Sequence, residues 1–135
     1  MRTKFAGFGA AIGFILATGT ALAHRSFTAE FDAKKPLNLK GVVTKIEWQN
    51  PHTYFYVDVT EPDGKVVNWG MEMGSPNGLM RQGWTRNSLK VGDVVTVEGS
   101  QAKDGTRTGN VRAVVLAATG KRLFAASSQG DSAQR

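Results

Sequence analysis

The sequence predicts an all-β protein with one short helix, folded as a five-stranded OB-like barrel. Three observations predict it. Short runs alternate apolar and polar residues between Gly, Pro, Asn and Asp turns, as in small barrels and sandwiches. Two of these runs form a hairpin whose turn chemistry fixes their register. A single helix-start signal falls between the third and fourth runs, which is the element order of the OB barrel. The chain has 135 residues and no cysteine, so one apolar core must hold it together without disulfides.

The first segment is a targeting signal. Arg2 and Lys4 make a positive start, Phe5 to Ala17 is an apolar run, and Ala21-Leu22-Ala23 is a signal-peptidase site. The apolar run is shorter than the ~20 residues that span a bilayer, so residues 1–23 are expected to be a cleaved signal peptide. The product would be a periplasmic or secreted protein with no membrane span and His24 as its first residue. Arg2 and Lys4 leave with the signal, so the net charge falls from +6 to +4. The remaining basic residues are scattered, without the clustered stripe of a nucleic-acid-binding face, and no nucleic-acid partner is expected.

Residues 24–38 read as an extended lead-in segment that Phe27 and Phe31 anchor, with Pro36 arguing against a central strand. A barrel domain is expected over 39–124. In its first strand, Gly41 to Trp48, parity places Val42, Ile46 and Trp48 on one face and Lys45 and Glu47 on the other. Asn50-Pro51 breaks this strand.

Thr53 to Thr60 and Lys65 to Met73 flank Glu61-Pro62-Asp63-Gly64. Proline suits the second position of a type I turn, and Gly64 can complete the loop in the left-handed conformation. Glu61 then faces Lys65. Phe55 falls opposite Met71, Val57 opposite Trp69 and Val59 opposite Val67, with every apolar residue on one face. The other face carries Tyr54 opposite Glu72, Tyr56 opposite Gly70 and Asp58 opposite Asn68, with His52 at the end.

Ser75-Pro76-Asn77 caps a short helix that Gly83 stops, with Leu79 and Met80 as its apolar contacts. Leu89 to Asp93 turns into a strand from Val94 to Glu98. The Lys103-Asp104-Gly105 turn precedes another strand, Val111 to Ala117. Thr119-Gly120-Lys121 turns the chain again so that Leu123 and Phe124 dock, and residues 125–135 are small and polar enough for a disordered tail.

Histidine occurs only twice, as His24 and His52. One account of His52 is structural, an imidazole capping a backbone carbonyl between two strands. The other places it with Tyr54 and Glu72 on one face, where a carboxylate can ligate or orient a metal-bound imidazole. An N-terminal histidine offers an α-amine and an imidazole together. With His52 and Glu72 it would give a tetragonal nitrogen and oxygen set, which favours copper as Cu(II). Met71, Met73 and Met80 are assigned to packing rather than to Cu(I). Tyr54 and Tyr56 are candidate ligand-binding residues, since OB faces bind oligonucleotides and oligosaccharides. Ser75 has no base near it in sequence and no phosphate loop precedes a helix, so no enzymatic activity is expected. The alternative function is structural, with the OB face docking a partner protein or a cell-wall glycan.

These residues resemble a family of small exported bacterial proteins known only as a domain of unknown function. The resemblance rests on Ala23-His24 before Ser26-Phe27, Trp48 with Asn50-Pro51-His52, and Ser75-Pro76-Asn77. It continues through Gly83-Trp84, Gly92-Asp93 with Val95 to Gly99, and Leu123-Phe124. It implies export and a small β-barrel and brings no established activity. Members resemble one another in a His-His pair before Ser-Phe, where this chain has His24-Arg25.

Overall fold

The computed structural model describes residues 30–125. The expected signal peptide with Ala21 and Ala23, His24, Phe27 and residues 126–135 lie outside this range. The described chain forms β1 (Phe31–Glu47), β2 (Tyr54–Thr60), β3 (Val66–Glu72), α1 (Pro76–Arg81), β4 (Val94–Ala102), β5 (Thr108–Leu116) and β6 (Arg122–Phe124). No described helix is long and apolar enough to cross a membrane.

The six strands run in the order β3-β2-β1-β4-β5-β6, neighbours antiparallel, and β3 also pairs in parallel with β5. Five strands therefore pair in a ring, β3-β2-β1-β4-β5 and back to β3, with β6 added along β5. The predicted hairpin register is the observed one. Phe55 opposes Met71, Val57 opposes Trp69 and Tyr54 opposes Glu72, and the turn closes with the Glu61 amide donating to the Lys65 carbonyl at 2.8 Å. Phe55, Val57, Trp69 and Met71 all point into one main core, with Leu79, Val97, Val114 and Trp84.

The first strand departs from the expectation in two ways. It begins at Phe31, so much of the expected lead-in is strand, paired along β4. Pro36 is tolerated because β1 meets β2 only from Val42 onward, so Pro36 needs no amide on that side. A register shift between Val43 and Lys45 then reverses the inward face. Val43 is buried and Val42 is 42% exposed, so Val42 does not share the core face with Ile46 and Trp48.

Ser75 caps α1 by accepting a hydrogen bond from the Gly78 amide at 3.1 Å, with Pro76 in the first turn. Leu79 is fully buried, but Met80 is 50% exposed and does not pack as expected. At the other end Leu123 docks, whereas Phe124 is 55% exposed beneath the Arg122 guanidinium. Fraying does not begin at Ala125. That residue is buried, its amide donates to the Arg112 carbonyl at 2.9 Å, and its carbonyl accepts from Gly74 at 3.2 Å.

Candidate functional site

The β2–β3 ladder builds the site. Its last rungs extend past the strands, because the Thr53 amide donates to Gly74 O at 3.0 Å and the Met73 amide to Thr53 O at 2.8 Å. These bonds hold His52 alongside Glu72 and Met73. His52 Nδ1 lies 3.1 Å from Met73 O and 3.6 Å from Glu72 Oε1. The Tyr54 hydroxyl donates to Glu72 Oε2 at 3.0 Å. His52, Tyr54 and Glu72, expected on one face, are thus brought into one hydrogen-bonded corner.

A carbonyl oxygen only accepts, so the bond to Met73 requires the proton on Nδ1. In the neutral ring Nε2 then keeps its lone pair. The carbonyl-capping arrangement expected of a structural His52 is present, and it is also the arrangement that orients a metal-binding imidazole. The two accounts are compatible.

Tyr54 and Glu72 form one wall of an open depression of about 400 Å³. Its other sides come from Glu30, Asp104, Thr106 and Thr108, over Phe31 and Ala102. The turn after β4 supplies Asp104, whose carboxylate accepts from the Thr106 hydroxyl at 2.7 Å and the Thr106 amide at 3.0 Å. The Lys103 amide donates to Glu30 O at 2.9 Å and fixes the start of the described chain against this turn. Phe31 and Ala102, both buried, pack beneath.

Burial dominates the electrostatics of this wall. It pushes the Glu72 carboxyl above the usual carboxylate range, against the opposing pull of His52 and the Tyr54 hydroxyl. The Tyr54 hydroxyl is pushed well above its ordinary value by burial and by the neighbouring Glu72 charge. Asp104 goes the other way, held below its ordinary value by the Thr106 hydrogen bonds.

Tyr56 does not line the depression. Lys45 Nζ lies 5.5 Å from the centre of its ring, and that lysine pairs with Glu47 at 2.7 Å. The two tyrosines expected as ligand-binding residues thus have separate settings, one on Glu72 and the other against Lys45 and Gly70. Neither Glu30 nor Asp104 is among the site residues expected from the sequence, where Asp104 figures only in a turn. Only Asp104 had a local signal, an Asp-x-Thr turn. Among the described residues no group of three or more His, Cys, Asp or Glu side chains converges to hold a metal. His52 and Glu72 are two donors, and His24 lies outside the described range.

No curated protein matches the chain. The family described as a family of unknown function, DUF6152, matches residues 13–112, most of the chain's length. With that match over most of its length, the chain belongs to DUF6152.

Proposed function

We propose that this protein is an exported, non-catalytic binding module of OB-like barrel form, cleaved after Ala23, which binds Cu(II) at the His52, Tyr54 and Glu72 corner. The ring of pairings, the parallel β3–β5 contact and a helix between β3 and β4 support the barrel form. The observation that carries the ligand assignment is the corner itself: Nδ1 of His52 bound to a carbonyl, with a desolvated carboxylate 3.6 Å away.

The first described residue, Glu30, lines the same depression as Glu72. Six extended residues span roughly 20 Å, and the assignment takes mature His24 to fold back over that length to the corner. This chain's donors would be the His24 amine and imidazole, His52 Nε2 and a Glu72 oxygen, a set suited to Cu(II). Tyr54 would keep Glu72 oriented by its hydrogen bond, and Met73 O would fix the His52 tautomer.

Calorimetric titration with Cu(II) tests the proposal on three proteins: the processed chain, the same chain with one alanine added before His24, and His52→Ala. The expected result is loss of at least about tenfold in affinity for both altered forms, a difference of ~1.4 kcal/mol. Equal affinity across the three would overturn it. Binding to cell-wall glycan or a periplasmic protein that survives chelator and His52→Ala would assign the face to docking.

A further inference from the structure

The three methionines of the described chain have unequal settings. Met71 and Met73 are 0% and 1% exposed in the main core, while Met80 is 50% exposed on the last turn of α1. Nothing in the copper site uses Met80, and its partner in the helix, Leu79, supplies the buried contact instead.

We propose that Met80 is a selective and reversible oxidation site, a surface thioether that reacts with hydrogen peroxide while the core methionines are spared. The sulfur lone pair attacks one peroxide oxygen and the O–O bond breaks. Sulfur is oxidised to the sulfoxide, and the other oxygen, reduced, leaves as water with both peroxide hydrogens. The product is polar and needs hydration, which a half-exposed position provides and the Met71 and Met73 positions do not. The helix end also tolerates it. The backbone bonds there, Gly83 N to Met80 O at 3.1 Å and Trp84 N to Leu79 O at 3.0 Å, involve no side-chain atom of Met80. Met71 and Met73 react only when the core opens, so their rates are reduced by the opening equilibrium.

All three methionines share the tryptic peptide Val66 to Arg81, so fragment-ion mass spectrometry of peroxide-treated folded protein is the test. The expected result is a single added oxygen on Met80, formed at least about tenfold faster than on Met71 or Met73. In denaturant the three rates should converge. Methionine sulfoxide reductase should remove the oxygen from the folded protein, and the melting temperature should not change on single oxidation. Met80→Leu should abolish the fast phase. Comparable rates at all three methionines in the folded chain, or loss of folded signal on single oxidation, would overturn the proposal. Cu(II) affinity does not enter any of these measurements, so failure of the copper assignment leaves this one standing.

Discussion

Glu72 carries a conflict within one side chain. Its carboxylate accepts from Tyr54 and lies beside His52, yet burial raises its proton affinity above that of the unfolded chain. A carboxyl with a raised folded pKa supports folding fully below the ordinary carboxylate range, and that support is lost as pH rises through the folded value. Glu72→Gln keeps an oxygen for the Tyr54 hydroxyl and removes the buried charge. Thermal melts should therefore show the variant more stable than the parent near pH 7, with the gain vanishing near pH 3. An equal gain at both pH values would mean that the charge is not the cause. On the proposed copper assignment, the same substitution should also weaken Cu(II) binding in a calorimetric titration, so that Glu72 would trade stability for a ligand.

At this scale the sequence disclosed some settings and not others. Ser75, Leu79 and Leu123 were legible because a cap, a helix stripe and a docking residue each follow from local chemistry. Met80, Phe124 and Val42 were not. A six-residue helix and a three-residue strand are too short for periodicity to say which side is covered. Val42 was misplaced because a register shift one residue later reverses the alternation.

Among the elements, the β2–β3 hairpin was fully legible, since Pro62 and Gly64 determine the loop and a one-residue slip would expose Phe55 and Trp69. The reach of β1 back to Phe31 was not, because Pro36 discourages a strand unless its open flank is known. Nor could the sequence show that Glu30 and the Asp104 turn face Glu72, since Glu30 meets that turn through the β1–β4 pairing and the turn meets Glu72 through the β3–β5 pairing. The attachment of β6 depends on a similarly distant contact. Trp84 Nε1 donates to Phe124 O at 2.9 Å, tying the segment after α1 to the last strand. Trp84→Phe keeps most of the buried ring and removes the donor. It should cost about 1–2 kcal/mol and speed hydrogen exchange of the Ala125 and Gly74 amides, which bond across this junction. Unchanged exchange at both amides would show that the strand is held by packing alone.

For the molecule as a whole, one main cluster gathers residues from every strand and from α1. With one main cluster shared by all the described strands and five of them paired in a ring, a strand that leaves exposes the core faces of its neighbours. Unfolding in urea should therefore follow a single transition, with tryptophan fluorescence and far-ultraviolet circular dichroism giving the same midpoint. Separate midpoints would mean that a part of the ring opens on its own. Gly99 marks how closely its backbones approach. A Cβ there would lie 2.0 Å from Asn110 O, at the rung where β4 and β5 shift register.

The parallel contact between β3 and β5 is only three rungs long, and its final rung sets Glu72 beside Asn110. That seam is where the ring is most easily unzipped, and it runs along the open depression: Glu72 stands on one lip, Thr108 and Asp104 on the other. A ligand spanning the two lips would act as a rivet. The ring's resistance to heat, pulling or protease would then rise with ligand concentration, making mechanical strength itself a gauge of occupancy.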